Sequence, residues 1–338
     1  MKQMFMMKKG SGDVFQLKES TDPSPGEGQV RIRVKASGVN FADIMARQGL
    51  YPDAPPKPCV VGYEVAGVID EVGTGVSKDM KGADVLAVTK FGGYSDVVIV
   101  SEKQVFHKPT RLSFEEAAGI PVNYLTAYQL VVAMGGLTND EAVLIHNAGG
   151  GVGLAALEIA RHIGATTYGT ASARKHEFLE SKGLDYAIDY QKKDWYKELM
   201  KVTDGKGVDL ILDPIGGDNW RKNYKALRST GRLGVFGISN VTNAGKVNYF
   251  KLAKTLVRMP RFDPIKLMNW NKGVFGVNMG HLWHEVDKIR NWMLHILAGV
   301  EDGWIHPHID TTYPLHEVAR AHEYLEARKN IGKVILIP

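Results

Sequence analysis

A glycine-rich turn between an apolar run and a helical pattern constrains the fold more than any other feature of this sequence. The chain reads Val-Leu-Ile-His over 143–146, then Asn-Ala-Gly-Gly-Gly-Val-Gly over 147–153, and carries small and apolar residues at helical spacing over 154–163. Such a turn lets the backbone approach a pyrophosphate, whose charge is met by amide N–H groups at a helix N-terminus. A tight turn without a ligand is the alternative, since Ala148 stands where the first glycine usually lies. We predict a dinucleotide site here, bound by Gly150, Gly151, Val152 and Gly153.

The patterns on the two sides of this turn differ, which indicates two domains. Residues 28 to about 110 form short alternating strands separated by glycine and proline, as in an all-β unit. From residue 142, apolar runs alternate with helical stretches, which predicts a mostly parallel sheet with strands at 142–146, 166–170, 186–189, 208–213 and 231–236. A chain of 338 residues with 44% hydrophobic and 23% charged residues is long enough for two folded domains.

The end of the second predicted strand indicates which dinucleotide is bound. An acidic residue there would recognise the ribose 2′-hydroxyl of NAD, but the chain reads Gly-Thr-Ala-Ser-Ala-Arg-Lys over 169–175 and has no acid. Ser172 and Lys175 offer the donors that a 2′-phosphate needs, so NADPH is the predicted cofactor. The alternative is that Arg174 and Lys175 are solvated residues at the start of the next helix.

Cysteine content and apolar runs bear on the compartment. The single cysteine, Cys59, can form neither an internal disulfide nor a cysteine-rich zinc lobe, so a reducing cytoplasm is expected. The apolar run Met4–Met7 is too short for a signal-peptide core. The uncharged run 117–139 contains proline, asparagine and glutamine, and no membrane span is predicted.

The positive charge is concentrated in one segment, residues 246–272. Seven lysines and arginines and one aspartate give this segment a charge of +6, against +5 for the whole chain. A solvated basic loop is one interpretation; attraction to an anionic cofactor or membrane surface is another. No nucleic-acid partner is predicted. Because a connection of about 27 residues is unusually long, we expect a lid or rim beside the cofactor, with apolar side chains that wall an acceptor pocket: Phe250, Leu252, Leu256, Phe262, Leu267 and Trp270.

Several motifs together resemble one superfamily. They are the glycine turn, Gly-Tyr-Glu-Val-Ala-Gly at 62–67, Val-Asp-Leu-Ile-Leu-Asp-Pro-Ile-Gly-Gly at 208–217 and Gly-Lys-Val-Ile-Leu-Ile-Pro at 332–338. The chain resembles the zinc-independent quinone oxidoreductases among the medium-chain dehydrogenases/reductases, and within them the vesicle amine transport protein branch. The resemblance implies an α/β fold in which a Rossmann doubly wound parallel sheet, residues 124–272, is inserted into a GroES-like β-barrel catalytic domain, residues 1–123 and 273–338. It also implies a homodimer.

The resemblance further implies that no zinc is bound. Zinc-dependent relatives have a cysteine and a histidine where this chain has Asn40 and Tyr63, and the lobe with four cysteines is absent. Without a Lewis acid, hydride addition to a conjugated acceptor is easier than alcohol oxidation, because conjugation spreads the negative charge.

By the same resemblance, two neutral donors are the candidate catalytic residues. Tyr51 matches a pocket tyrosine and Asn40 an asparagine near the nicotinamide; a loop tyrosine and a turn asparagine are the structural alternatives. The remaining matched cofactor positions are Thr126, Tyr190, Phe236, Ile238, Phe275 and Asn330.

The resulting hypothesis is an NADPH-dependent oxidoreductase that transfers hydride to a quinone or an α,β-unsaturated carbonyl without zinc. The alternative is a cofactor-binding protein that acts at an anionic membrane surface or on a protein or lipid partner. The basic segment 246–272 is the feature that supports this alternative.

Overall fold

The computed structural model describes residues 1–243, 246–247 and 249–338, with side chains described outside 242–251. Its strands are β1 (Lys2–Met6), β2 (Phe15–Glu19), β3 (Gln29–Val39), β4 (Cys59–Val60), β5 (Glu64–Val72), β6 (Asp84–Val88), β7 (Val97–Ser101), β8 (Val105–His107), β9 (Ala142–His146), β10 (Thr166–Ala171), β11 (Tyr186–Asp189), β12 (Val208–Asp213), β13 (Leu227–Val235), β14 (Thr242–Asn243), β15 (Lys246–Val247), β16 (Gly273–Gly276), β17 (Ile309–Pro314) and β18 (Lys333–Ile337). Its α-helices are α1 (Phe41–Gln48), α2 (Phe114–Ala118), α3 (Pro121–Tyr128), α4 (Gly151–Ile163), α5 (His176–Ser181), α6 (Trp195–Val202), α7 (Asp218–Ala226), α8 (Tyr249–Val257), α9 (Pro264–Trp270), α10 (Val286–Glu301) and α11 (Val318–Glu326).

The chain divides into two compact units. The first contains Met1–Leu125 and Met279–Pro338, and the second contains Thr126–Asn243 and the described part of Val247–Asn278. The second unit extends past the predicted boundary at residue 273, because β16 pairs in parallel with β13 and completes its sheet.

The first unit is built on a seven-stranded sheet. Its order is β17-β18-β3-β5-β6-β8, with β7 paired to β3, and β2-β1-β4 form a smaller sheet. The alternation predicted for β3 is present: Val30, Ile32 and Val34 are buried in one hydrophobic cluster. Burying each such side chain contributes roughly 1.5–3 kcal/mol, which fixes the register of β3 between β5 and β18.

The second unit contains a six-stranded sheet in the order β11-β10-β9-β12-β13-β16, and every strand pair in it is parallel. The order reverses between β9 and β12, and ligands of such sheets bind outside the carboxyl ends of the strands at that switch point. This confirms the predicted doubly wound fold. It also places the glycine turn, which follows β9, at the expected binding edge.

The described part of the segment 246–272 contains two helices and not one loop. Asp263 caps α9 by accepting a hydrogen bond from the Ile265 N–H at 2.9 Å. The predicted pocket wall is partly wrong, because the Phe262 ring packs on Tyr224, 5.7 Å between centroids, and on the core of its own unit. The side chain of Phe250 lies outside the described residues. Apolar side chains exposed here are Leu256, Val257, Met259, Ile265, Met268 and Trp270.

Among the described residues, no helix is both long and apolar enough to cross a membrane.

Candidate functional site

The glycine turn of the second unit packs its backbone tightly. A Cβ on Gly153 would lie 2.4 Å from the Asn147 carbonyl oxygen, so only glycine lets α4 approach the turn this closely. Gly150 precedes the first turn of α4 in extended conformation, and a Cβ there would meet the Asn147 side chain at 2.6 Å. The amide groups at the start of α4 are therefore accessible to an anion without an intervening side chain.

Lys175 lies against this turn. The residue is only 5% exposed, and a Cβ on Gly149 would lie 2.7 Å from its Cδ atom. Ser172 is half-buried at the end of β10, whereas Arg174 is exposed. The structure thus brings Lys175 to the glycine turn, with Ser172 three residues before it at the end of β10, and the solvated interpretation does not apply to Lys175.

A buried polar network beneath the strand ends was not predicted from the sequence. His146 Nε2 lies 2.8 Å from Asn223 Oδ1, and the Asn223 amide donates to Asp213 Oδ2 at 2.8 Å. Because that amide must donate to the carboxylate, its oxygen accepts from His146, whose Nδ1 then accepts from the Thr170 hydroxyl at 2.9 Å. Burial lowers the pKa of His146, so the ring is neutral. The network ties the carboxyl ends of β9, β10 and β12 together.

The second Asp213 oxygen holds the loop after β12. It accepts from the Ile215 N–H at 2.6 Å and from the Gly216 N–H at 3.3 Å. Sequence patterns could not connect His146 with Asp213 and Asn223, which lie 67 and 77 positions later. The one available signal was that His146 and Asp213 each end a predicted strand.

The other predicted cofactor positions of the second unit differ in exposure. Thr126 is buried in α3, and Tyr190 is 39% exposed just after β11. The Phe236 N–H donates to the Asp213 carbonyl at 3.1 Å, and Ile238 contacts the backbone at Gly216. The Phe275 ring packs over Gly234, where a Cβ would come within 2.8 Å. Phe236 and Ile238 therefore lie beyond the ends of β12 and β13, whereas Tyr190 follows β11 at the edge of the sheet.

The first unit carries both candidate donors. Asn40 precedes α1, and its backbone N–H donates to the Asp43 carboxylate at 2.8 Å. Tyr51 follows α1 and meets Tyr63 edge-on, 6.2 Å between ring centroids, while Tyr63 lies 5.0 Å from the Phe91 ring. Burial raises the pKa of the Tyr51 hydroxyl, so it remains a proton-bearing donor at neutral pH. Sequence reasoning missed this row of aromatic rings.

Asn40 is also tied to a buried ion pair. Its Nδ2 donates to Glu64 Oε1 at 2.9 Å, and its Oδ1 accepts from Lys333 Nζ at 2.7 Å. Lys333 and Glu64 form a salt bridge with side chains 4% and 0% exposed. Asn330, at the terminal strand as predicted, donates to the Gly332 carbonyl at 2.8 Å.

These residues do not fit a zinc ion. The places of the cysteine and histidine ligands are taken by Asn40 and Tyr63, and an ammonium group neutralises the neighbouring carboxylate of Glu64. Within the described ranges, no group of three or more histidine, cysteine or acidic side chains is arranged to hold a metal ion. A second cation beside Lys333 would be repelled.

Asp43 lies in a buried network below Asn40. The Tyr94 hydroxyl donates to Asp43 Oδ2 at 2.9 Å and lies 3.0 Å from His322 Nε2, while the Gly62 N–H donates to Asp43 Oδ1 at 3.0 Å. Burial raises the pKa of Asp43 to about 7. The network joins α1, the start of β5 and α11, and so holds the loop that carries Asn40.

A parallel sheet with a glycine turn at its binding edge and a mostly antiparallel unit that carries neutral donors define a dehydrogenase/reductase of two units. Two family models match: an alcohol dehydrogenase GroES-like domain over residues 26–110 and a zinc-binding dehydrogenase over residues 182–336. The chain belongs to the medium-chain dehydrogenase/reductase family, as the motifs predicted, and falls in the VAT-1 branch.

Similar proteins and solved structures support this family assignment. The synaptic vesicle membrane protein VAT-1 homolog of Rattus norvegicus is 40% identical over 325 residues, 96% of this chain and 80% of that protein. A 2-haloacrylate reductase of a Burkholderia species is 33% identical over 343 residues, 98% and 97% of the two chains. The Escherichia coli quinone oxidoreductase complexed with NADPH superposes with a TM-score of 0.87 at 30% identity and covers 100% of both chains.

Proposed function

We propose that this protein is an NADPH-dependent oxidoreductase that transfers hydride to a quinone or an α,β-unsaturated carbonyl without zinc. The observation that carries the proposal is Asn40, a neutral donor whose side chain contacts the Lys333 ammonium and the Glu64 carboxylate and not a set of metal ligands. In a conjugated acceptor, hydride adds to a carbon and the negative charge develops on the oxygen at the other end of the conjugated system. A hydrogen bond from a neutral donor stabilises that oxygen.

The preference for NADPH is supported by Lys175 and Ser172. The Lys175 side chain packs over Gly149 of the glycine turn, Ser172 ends β10, and no acid there would repel a 2′-phosphate. Two structural neighbours are described as NADPH complexes, the E. coli quinone oxidoreductase and a mycobacterial protein at 27% identity and TM-score 0.86. Gly150, Gly151, Val152 and Gly153 would meet the pyrophosphate, while Tyr190 would flank the adenosine side.

The nicotinamide end would be met by the residues beyond β12 and β13. Phe236, Ile238 and, in β16, Phe275 are the proposed contacts, and the family resemblance adds Thr126 and Asn330. Bound NADPH supplies a hydride to the acceptor.

The acceptor is bound and polarised by this chain's own donors. Tyr51 donates a hydrogen bond to the acceptor oxygen, which becomes more negative as the reaction proceeds, and Asn40 offers an N–H to the same developing charge. The rings of Tyr63 and Phe91, inclined at 49° to each other, would give the acceptor oxygen an apolar neighbourhood in which a hydrogen bond from Tyr51 is stronger. Solvent then supplies the proton that completes the product.

A second candidate role, at an anionic membrane surface or on a partner, is favoured by the segment 246–272. Val257, Met268 and Trp270 are 87%, 69% and 63% exposed among lysines and arginines. Apolar side chains flanked by bases suit a peripheral anionic membrane contact.

The test is NADPH oxidation followed with a panel of quinones and enones beside cosedimentation with anionic liposomes. We expect turnover that Tyr51→Phe lowers, with Tyr186→Phe, an exposed tyrosine at the start of β11, as the control. Liposome binding with no turnover of any acceptor would contradict the reductase and favour the second role.

A further inference from the structure

We infer that Lys333 and Glu64 are positioning residues that fix the side-chain amide of Asn40, so that Asn40 presents only an N–H donor to its ligand. This inference rests on the proposed function for its catalytic consequence. The geometry itself stands independently of that function.

The orientation of the amide follows from its two partners. Glu64 is a carboxylate and can only accept, and the Lys333 ammonium can only donate. Asn40 Nδ2 faces Glu64 Oε1 at 2.9 Å, and Asn40 Oδ1 faces Lys333 Nζ at 2.7 Å. Rotating the amide by half a turn would set its N–H groups against the ammonium and its oxygen against the carboxylate. The carbonyl oxygen is thus occupied, and the second Nδ2 hydrogen is left for a ligand oxygen.

Three adjacent strands bring these side chains together. Val39 pairs with Val334 in the antiparallel register of β3 and β18, which places Asn40 beside Lys333 at the next position. Glu64 begins β5, on the other side of β3. The cluster therefore lies where the ends of three hydrogen-bonded strands meet, the most rigid support that this unit offers.

Gly38 makes room for the ion pair. A Cβ at this position would lie 2.4 Å from Glu64 Oε1 and 2.7 Å from Lys333 Cε. The remaining Glu64 oxygen accepts from the Val122 N–H at 2.7 Å. Every oxygen of the carboxylate is accordingly satisfied, and the pair is held by a backbone that leaves no space for an alternative packing.

Fold stability alone does not require such a pair. Replacing a buried ion pair by neutral residues of similar volume is often without effect on stability or stabilising. The same unit contains a second buried pair, Arg47 and Glu326, with side chains 1% and 8% exposed. That pair makes no contact with Asn40 among the described hydrogen bonds, so it provides a matched control for burial and charge.

The test compares the double variant Glu64→Gln/Lys333→Met with the control Arg47→Met/Glu326→Gln, each with and without Asn40→Ala. We expect Glu64→Gln/Lys333→Met to lower kcat about tenfold, with the KM for NADPH changed less than twofold, because one aligned donor is lost. Asn40→Ala should lower kcat comparably, and combining the changes should cause no further loss. The control pair should keep kcat and show additive behaviour with Asn40→Ala.

Unchanged kcat in Glu64→Gln/Lys333→Met, alongside a loss in Asn40→Ala, would overturn the inference while leaving the proposed function intact. A readout that needs neither turnover nor the variant is hydrogen exchange of the two Asn40 Nδ2 protons by NMR in the unaltered protein. We expect the proton facing Glu64 to exchange slowly and the other to exchange freely. Equal exchange of the two protons would refute a fixed amide, whether or not the protein turns over any acceptor.

Discussion

Lys175 is the residue that we propose to recognise the 2′-phosphate of NADPH. It is buried against the glycine turn, whereas the neighbouring Arg174 is exposed. The sequence predicted Ser172 and Lys175 as the donors at this strand end but left open whether Lys175 is solvated. The packing of Lys175 over Gly149 removes that alternative.

Replacing Lys175 by glutamate should weaken NADPH by roughly tenfold or more and NADH much less, because a phosphate partner is replaced by a repelling charge. Titration of both cofactors by fluorescence measures this. Arg174→Glu is the matched control and should have the smaller effect. Equal weakening of NADPH and NADH by Lys175→Glu would refute the assignment.

Asp43 gives the protein a distinctive pH dependence. Its folded pKa of about 7 lies above its ordinary value of 3.8, because it is buried. Between those values the folded state keeps a proton that the unfolded state has lost, so the contribution of Asp43 to stability falls as pH rises, by about 1.4 kcal/mol per pH unit at most.

Asp43→Asn should therefore be most destabilising near pH 4, and its penalty should shrink up to pH 7, as measured by urea unfolding. Asp22→Asn is the contrast. A hydrogen bond from the N-terminal amine, with Arg33, lowers the pKa of Asp22 to about 2. Its penalty should grow as pH rises from about 2 to 4. A penalty for Asp43→Asn that did not vary between pH 4 and 7 would contradict the raised pKa.

Among the elements, β16 is the edge strand of the parallel sheet. Its outer backbone groups have no partner strand within the described part of the chain, and an exposed edge is a site for pairing with a second copy. We expect a homodimer at micromolar concentration by light scattering, with the outward-facing β16 amides protected from hydrogen exchange. A monomer, or a dimer with unprotected β16 amides, would count against edge pairing.

The elements also show how far sequence patterns reach. Apolar periodicity predicted β9, β11 and β12 to the residue, because each is a short run of mainly apolar residues. It placed the start of β13 four residues late, since Arg228, Ser229 and Thr230 are exposed and interrupt the apolar pattern. Periodicity did not predict the contact of Asn40 with Lys333, because Lys333 is 293 positions away and only the sheet register brings the two residues together.

At the scale of the whole molecule, the replacement of two zinc ligands by Asn40 and Tyr63 predicts the metal content of the purified protein. We expect no stoichiometric zinc by metal analysis, and the same melting temperature with and without a chelator, because the Lys333 ammonium already neutralises Glu64. One tightly held zinc per chain would overturn the zinc-independent proposal.

The pairing of β18 with β3 also has a consequence for how the protein comes into being. Because Asn40 is oriented by a residue nearly three hundred positions later, a nascent chain on the ribosome carries Glu64 without its cation until residue 333 has emerged. Proteolytic clipping between α11 and β18 would return the molecule to that incomplete condition. The hydrogen bonds around Asn40 are thus complete only once β18, the last strand of its sheet in chain order, has paired with β3.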